Sequence, residues 1–373
     1  MFLIGRVYRQ PPLSPGESQR GELARTLAEI ARLLRRRGIA DAGIVARLNG
    51  AEQRTRTDRD GYFRIHLRPE TPPPDGRLWR RMAIELEGPV PLRAEAELFI
   101  APASARVVVI SDIDDTVMET GVANKAVMLW RLFGQAAERR TAFPGVAAFL
   151  RALHRGPSGT EANPMLYVSR APWGIYEVLD EFFRRHDIPV GPLLFLREWG
   201  MTLQSPLPRR AKDHKLDLIR HMLDLYADLP FVLIGDSGQE DPELYARVVR
   251  EHPGRVRAVY IRNVSRGEAR IAEIERLAGE VAAAGSTLLL AADSLAMAEH
   301  AERHGLIDGA SLAEMRRQRP QAASTVAEPT TVAPQEIAQA LDRADRQEPA
   351  PSVEVEGQSL KAAPGSDRPP TPP

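Results

Sequence analysis

The sequence predicts an α/β domain with a doubly wound, mostly parallel sheet, placed between a small β-rich domain and a disordered tail. From Arg106 onward, buried strand patterns alternate with amphipathic helical patterns, which is typical of a parallel sheet covered on both faces. Before that point, short alternating runs punctuated by turn residues predict a β-rich sandwich or barrel. After Gly309 the chain has no Phe, Trp or Tyr, and such a segment buries too little apolar surface to offset the entropy of ordering. The predicted domains are therefore 1–103, 104–309 and 310–373.

The first domain has one clear strand and one helical run. Residues 62–67 alternate between apolar and polar side chains after a turn at 58–61, as expected for a strand with one buried face. Residues 23–34 have the spacing of an amphipathic helix, and the arginines at 35–37 suit the carbonyl end of that helix. A solvated helix end explains these arginines more simply than a binding patch does.

The second domain contains six predicted strands and six predicted helices. Short apolar runs bounded by turn residues predict the strands, and apolar residues with a helical period predict the helices. The strands are at 106–111, 165–168, 193–195, 231–235, 256–261 and 286–291. The helices are at 146–154, 173–185, 212–226, 242–251, 268–283 and 294–304.

The composition excludes several classes of protein. Fifty Lys and Arg residues balance fifty Asp and Glu residues, which argues against a long nucleic acid as partner. The absence of cysteine excludes disulfides, Cys-ligated zinc and cysteine nucleophiles. Arg6 interrupts the apolar start, and no later run of about 18 uncharged apolar residues occurs. We therefore expect neither a signal peptide nor a transmembrane helix, and a cytoplasmic protein whose membrane contact is peripheral.

Three carboxylates follow the first strand of the second domain. Ligands of open parallel sheets bind beyond the carboxyl ends of the strands, so residues at these ends are candidates for function. The strand at 106–111 runs directly into Asp112, Asp114 and Asp115, whose like charges need a counterion or a proton. An Asp-rich turn is often only hydrogen-bonded backbone, but the position after a buried strand favours a functional site.

Two further carboxylates follow the strand at 231–235. Asp236 ends this strand, and Asp241 lies just before Pro242, a residue favoured at the first turn of a helix. Magnesium usually takes one or two carboxylates, with phosphate oxygens and water completing its octahedron. The two loops together predict a Mg²⁺ site. Ser237, between Asp236 and Gly238, also suggests a chymotrypsin-like nucleophile, but a strand-to-helix junction in a chain without cysteines makes that interpretation much weaker.

A serine and a lysine complete the candidate site. Ser169 ends the strand at 165–168 and precedes Pro172, so it could donate a hydrogen bond to phosphate, although a lone serine there is more often a helix cap. The chain has only four lysines, and a compact ammonium reaches a phosphate in a crowded acidic site where arginine would not fit. Lys215 is the candidate, with Lys212 as its rival and a solvated helix surface as the simpler explanation of both.

Four groups of residues resemble, in chain order, the four motifs of the haloacid dehalogenase superfamily of phosphohydrolases. They are Asp112-x-Asp114-x-Thr116, Ser169, Lys215, and Gly235-Asp236 with Asp241. Over about residues 104–266, finer strings resemble the actin-patch-protein family of phosphatidate phosphatases. They are Ser111-Asp112-Ile113-Asp114-Asp115-Thr116, Tyr167-Val168-Ser169-x-x-Pro172-Trp173, His214-Lys215, Gly235-Asp236-Ser237-Gly238-Gln239-x-Asp241-Pro242-Glu243 and Val259-Tyr260-Ile261-Arg262-Asn263-Val264. Arg170-Ala171 departs from the small hydroxyl residues expected there, which affects headgroup contacts more than the chemistry.

The resemblance implies a role for each candidate residue. Asp112 would attack phosphorus to form an aspartyl-phosphate, and Asp114 would protonate the leaving oxygen and then activate water. Ser169 and Lys215 would hold the phosphate oxygens. The main-chain carbonyl of Asp114 would coordinate the metal, and Asp241 would do so directly or through water. The implied metal-binding residues are Asp112, Asp114, Asp236 and Asp241.

The predicted function is Mg²⁺-dependent hydrolysis of phosphatidate or a related lipid phosphate. The segment 117–142 is too short for a cap domain, and its apolar run 127–133 is either a helix packed on the sheet or an element that contacts lipid. The alternative enzyme is a phosphatase of a soluble sugar phosphate, nucleotide or nucleic-acid end. A further alternative is a non-catalytic phosphate-binding module whose tail recruits a protein partner. The pair Asp112 and Asp114 argues against it, because binding alone needs no acid beside a nucleophile.

Overall fold

The computed structural model describes residues 2–10, 37–67, 79–88, 91–118, 142–169, 176–195, 211–265, 267–318, 350–355 and 358–360. The described residues form two compact units. One is β-rich and combines the described residues up to Leu98 with those from 350 to 360. The other is the α/β unit, which begins at Phe99 and is described through residue 318. The predicted helix at 23–34 and most of the segment 117–142 lie outside the described residues.

Two antiparallel sheets make up the β-rich unit. The strands are β1 (Phe2–Gln10), β2 (Arg37–Gly38), β3 (Gly43–Leu48), β4 (Ala51–Arg56), β5 (Tyr62–His66), β6 (Trp79–Leu86), β7 (Leu92–Phe99), β14 (Ala350–Val355) and β15 (Gln358–Leu360). One sheet has the order β15-β14-β1-β2, with β5 also paired to β1, and the other has the order β4-β3-β6-β7. Both sheets contribute to one buried apolar cluster, which includes Val7, Ile44, Phe63, Ile84 and Leu98. This packing agrees with the predicted sandwich.

The strand predicted at 62–67 is confirmed with its buried face. Phe63, Ile65 and Leu67 are all buried, and the polar residues between them are more exposed. The turn before the strand forms because the Asp58 carboxylate accepts hydrogen bonds from the amides of Asp60 (3.0 Å) and Tyr62 (3.0 Å). The chain reverses at this turn, which places β5 beside β1.

Two short strands are described near the end of the chain, within the segment predicted to be a tail. Strand β14 pairs antiparallel with β1 from Gly5↔Val355 to Gln10↔Ala350, and β15 pairs antiparallel with β14. Strand β14 thus adds to the edge of this sheet through backbone hydrogen bonds to β1. Within the predicted tail, the residues 319–349, 356–357 and 361–373 lie outside the described part of the chain.

The α/β unit contains a six-stranded sheet in which every strand predicted for it is present. The strands are β8 (Val108–Asp112), β9 (Met165–Ser169), β10 (Leu193–Phe195), β11 (Phe231–Asp236), β12 (Val256–Arg262) and β13 (Leu288–Ala291). Neighbouring strands pair in parallel, in the order β10-β9-β8-β11-β12-β13. Strands β8, β9 and β11 are buried throughout because helices cover both faces of the sheet. Strand order reverses between β8 and β11, which is where doubly wound sheets bind ligands.

The helices of this unit also agree with the sequence predictions, with one addition. They are α1 (Val146–Arg155), α2 (Tyr176–Arg185), α3 (Ala211–Leu225), α4 (Asp241–Glu251), α5 (Glu268–Ala283), α6 (Ser294–Arg303) and α7 (Gly309–Arg317). The sequence prediction ended the domain at 309 and missed α7. This helix begins where the Asp308 carboxylate accepts a hydrogen bond from the Ser311 amide at 2.7 Å, and it buries Leu312 and Met315. The capping Asp308 was the sequence signal for it.

Candidate active site

Three carboxylates meet where β8 and β11 end. Because these strands are parallel neighbours, their carboxyl ends lie side by side and carry Asp112 and Asp236 to the same edge of the sheet. Asp241, the first residue of α4, joins them from the loop that follows β11. One oxygen of each carboxylate lies within 4.8 Å of the others, and all three side chains are buried. The structure thus brings together three of the four residues predicted to bind metal.

Lys215 lies inside this cluster. Its Nζ donates hydrogen bonds to Asp112 Oδ1 at 2.7 Å and to Asp241 Oδ1 at 2.5 Å, and its side chain is only 1% exposed. The same ammonium is 5.5 Å from the centre of the buried Tyr245 ring. The prediction that a scarce lysine enters the acidic site therefore agrees with the geometry. The side chain of the rival, Lys212, lies outside the described residues.

The electrostatics of the cluster show an excess of negative charge. Burial opposes the charge of Lys215, but the carboxylates of Asp112 and Asp241 outweigh it and hold the pKa of the lysine well above its usual value. Burial also raises the pKa of Asp112 well above its usual value, although Lys215 opposes the shift. Burial and repulsion from Asp241 raise the pKa of Asp236 to about 7. One lysine does not balance three acids, so a cation would relieve the remaining repulsion.

Two carboxylate oxygens of the cluster have no hydrogen-bond partner among the described residues. They are Asp112 Oδ2 and Asp236 Oδ2, and both atoms are buried. The other oxygen of Asp236 accepts hydrogen bonds from the amides of Gly238 (2.7 Å) and Gln239 (3.0 Å). Buried polar atoms normally have partners, and carboxylate oxygens are the ligands that hard divalent cations prefer. The donor set therefore fits a metal ion such as Mg²⁺.

Gly235 allows α4 to approach the end of β11. A Cβ atom placed on Gly235 would lie 2.8 Å from the Cβ of Asp241, closer than real Cβ contacts allow. The absence of a side chain at this position lets Asp241 reach both Lys215 and the backbone amide of Asp236, which it approaches at 3.4 Å. The close approach of Asp241 therefore explains why a glycine occupies position 235.

Asp114 and Ser169 lie together at the ends of β8 and β9. The Ser169 hydroxyl donates to Asp114 Oδ2 at 3.4 Å, and both side chains are buried. Asp114 is not a member of the group of three carboxylates within 4.8 Å of one another. Its main-chain carbonyl accepts a long hydrogen bond, 3.5 Å, from the side-chain amide of Gln239. The metal-binding role predicted for Asp114 stays a prediction.

The sequence analysis missed a buried arginine beside this site. Arg262, the last residue of β12, donates from Nε to the Thr116 carbonyl at 3.0 Å and from Nη2 to Ser294 Oγ at 2.8 Å. Its guanidinium also lies 4.3 Å from the centre of the Phe143 ring. These contacts hold the backbone just after Asp114. Arg262 belongs to a string quoted for the family resemblance, but nothing in its local pattern predicted these contacts.

Residues 107–263, which include the candidate site, match a protein-family model. That model is described as "Phosphatidate phosphatase APP1, catalytic domain". The match confirms the family resemblance predicted from the motifs. The wider resemblance to the haloacid dehalogenase superfamily stays a prediction.

Two related proteins match a similar length of chain. An uncharacterized protein of Schizosaccharomyces pombe is 30% identical over 160 residues, which are 42% of this chain and 25% of that protein. Phosphatidate phosphatase APP1 of Saccharomyces cerevisiae is 28% identical over 153 residues, which are 41% of this chain and 25% of that protein. The matched region is thus a quarter of the length of each relative.

Proposed function

We propose that this chain is a Mg²⁺-dependent phosphatase that hydrolyses phosphatidate or a related lipid phosphate through an aspartyl-phosphate. The observation that carries the proposal is the buried Oδ2 of Asp112, which has no hydrogen-bond partner among the described residues. It lies within a segment that matches the model of a phosphatidate phosphatase catalytic domain. A nucleophilic carboxylate needs one oxygen available to the phosphorus and a fixed orientation. Lys215 supplies that orientation by holding the other oxygen.

The first half-reaction transfers the phosphoryl group to Asp112. Its Oδ2 forms a bond to phosphorus while the bond from phosphorus to the ester oxygen breaks. Asp114, protonated, donates its proton to that leaving oxygen, so the alcohol departs neutral. Ser169 donates to Asp114 and lies at the end of the next strand, a position from which its hydroxyl can also bind a phosphate oxygen.

The second half-reaction returns Asp112 to its free form. Asp114, now a carboxylate, removes a proton from water as the water oxygen attacks phosphorus and the bond to Asp112 breaks. Inorganic phosphate leaves and Asp114 regains its proton. One residue therefore serves as acid in the first step and as base in the second.

Asp112, Asp236 and Asp241 are the residues that would hold the metal ion. A bound Mg²⁺ offsets the repulsion between the carboxylates and the phosphate oxygens. The buried Oδ2 of Asp236, which has no hydrogen-bond partner among the described residues, supports this assignment. The predicted participation of the Asp114 carbonyl is part of the same proposal.

The lipid substrate is proposed from the comparisons. The relative from Saccharomyces cerevisiae is called a phosphatidate phosphatase, and the family model that matches residues 107–263 is described as the catalytic domain of that enzyme. No helix among the described residues is long and apolar enough to cross a membrane. We also propose that the protein is cytoplasmic, that it contacts a membrane peripherally and that its tail binds a protein partner. The Arg170-Ala171 departure and the apolar run 127–133 lie outside the described residues.

A phosphate-release assay tests this function. With Mg²⁺ present, we expect turnover of phosphatidate in mixed micelles to exceed turnover of soluble phosphomonoesters. Asp112→Asn should abolish turnover and Asp114→Asn should nearly abolish it, because loss of the nucleophile or of the acid each costs at least about 100-fold. Asp217→Asn, a change on the exposed face of α3, is the matched control and should be silent.

The outcomes separate the alternatives. Substantial turnover by Asp112→Asn at an unchanged melting temperature would exclude the covalent route. Preference for a sugar phosphate or a nucleotide would favour the soluble-substrate phosphatase instead. Phosphate binding without release of any product would favour the non-catalytic module.

A further inference from the structure

Arg270, in the first turn of α5, forms hydrogen bonds with the loop that joins β11 to α4. Its Nε donates to the Ser237 carbonyl at 3.0 Å, and its Nη2 donates to the Gln239 carbonyl at 2.6 Å. The same guanidinium pairs with both carboxylate oxygens of Glu243 on α4, and Glu273 binds it from its own helix. The side chain is 23% exposed, so much of this network is shielded from water. One arginine thus binds both the loop after β11 and the first turn of α4.

The held carbonyls belong to the peptide groups that orient Asp236. The Ser237 carbonyl and the Gly238 amide are two ends of one planar trans peptide and point in opposite directions. The amide end donates to Asp236 Oδ1 at 2.7 Å, and the carbonyl end accepts from Arg270. This peptide is therefore fixed at both ends. Rotation of its plane would break both hydrogen bonds together.

Ser237 anchors the loop from the other side. Its hydroxyl oxygen accepts hydrogen bonds from the amides of Val264 (2.9 Å) and Ser265 (3.0 Å) in the segment after β12. Its own amide donates to the Arg262 carbonyl at 2.9 Å. The loop is thus held by the backbone after β12 on one side and by Arg270 on the other. With Oδ1 of Asp236 bound to this loop, Oδ2 is the oxygen left without a partner among the described residues.

We propose that Arg270 is a positioning residue for the metal centre, acting through the Ser237–Gly238 peptide on the carboxylate of Asp236. The inference rests on the metal-binding part of the proposed function. Residues behind metal ligands fix the orientation of the ligands, and their loss typically weakens metal affinity about 10- to 100-fold. A guanidinium suits the task because its fixed fork reaches two carbonyls and a carboxylate at once, which an ammonium does not.

The test measures metal binding without substrate. The full chain, freed of metal, is titrated with Mn²⁺, which shares the oxygen ligands of Mg²⁺, and free Mn²⁺ is followed by electron paramagnetic resonance. We expect Arg270→Gln to raise the Mn²⁺ dissociation constant about 10- to 100-fold, and Arg270→Lys to give an intermediate value. Arg276→Gln is the matched control, because Arg276 is on the same helix, is 62% exposed and pairs with Glu280 on the surface. Its dissociation constant should stay within about twofold of the parent.

Each outcome has one meaning. If folded Arg270→Gln binds Mn²⁺ within twofold of the parent, Arg270 is only structural and the inference is wrong. If Arg270→Gln does not fold, Arg270→Lys decides, and parental affinity in that variant overturns the inference equally. If the parent chain itself binds no Mn²⁺, the metal-binding part of the proposed function fails as well, and the two failures are therefore distinguishable.

Discussion

Replacing Lys215 by methionine tests the electrostatic basis of the candidate site. Methionine keeps most of the volume of the side chain but removes the charge that lies between Asp112 and Asp241. Oxygen atoms of these two carboxylates lie within 4.8 Å of each other, and like charges at that distance repel by about 3 kcal/mol at an effective dielectric constant of about 20. Removing one partner of a buried ion pair costs about 3–5 kcal/mol in measured cases. We therefore expect Lys215→Met to lower the free energy of unfolding by about 3–5 kcal/mol in metal-free buffer at pH 7.

Urea denaturation followed by circular dichroism measures this loss. Arg220→Gln is the control on the same helix, because Arg220 pairs with Glu251 in a partly exposed ion pair and should cost no more than about 1 kcal/mol. Lys215→Arg keeps the charge but must fit a larger, planar group into a site that is 1% exposed. We expect it to cost about 1–3 kcal/mol through overpacking and to impair phosphate release strongly.

A loss below about 1 kcal/mol in Lys215→Met would refute the view that this ammonium compensates the acidic cluster. Phosphate release by Lys215→Arg at the parental rate would refute the requirement for a compact point charge. In that case the rival Lys212 would become the phosphate-binding candidate.

Three further predictions concern other parts of the chain. Gly235→Ala should displace Asp241 and weaken Mn²⁺ binding at least about 10-fold. Unchanged binding would show that α4 can shift to accept the methyl group without displacing the Asp241 carboxylate. Burial and neighbouring basic side chains lower the pKa of His300 to about 4. This value lies below the unfolded value of 6.5, so the unfolded chain binds a proton here before the folded chain does, and the free energy of unfolding should fall as the pH drops from 6.5 to 4, by up to about 1.4 kcal/mol per pH unit. Urea denaturation at pH 5 and pH 7 measures this fall, and His300→Gln should remove the contribution of His300 to it. Trp130→Ala combined with Phe133→Ala should reduce hydrolysis of micellar phosphatidate far more than hydrolysis of a soluble ester, and equal losses would assign the run 127–133 to the hydrophobic core.

The sequence by itself determined the strands of the α/β unit and the residues of the candidate site. Buried parallel strands are continuous apolar runs, so 231–235 and its neighbours stand out without knowledge of their partners. The acids at the ends of such runs then identify the binding edge of the sheet, since ligands bind there in this class of fold. The scarcity of lysine among the basic residues was enough to single out Lys215 and one rival.

Tertiary structure alone decided which of these residues touch. Lys215 and Asp112 are 103 positions apart, and their 2.7 Å contact depends on the order of strands and on the packing of α3, neither of which is a local property. The contacts of Arg270 also could not be predicted, because a solvated helix arginine and one that forms hydrogen bonds with a distant loop have the same local sequence pattern. The pairing of β14 with β1, more than 300 residues away in the chain, is likewise set by the fold and by no local pattern. Periodicity reports which face of an element is buried, and the partner of that face is set by the fold.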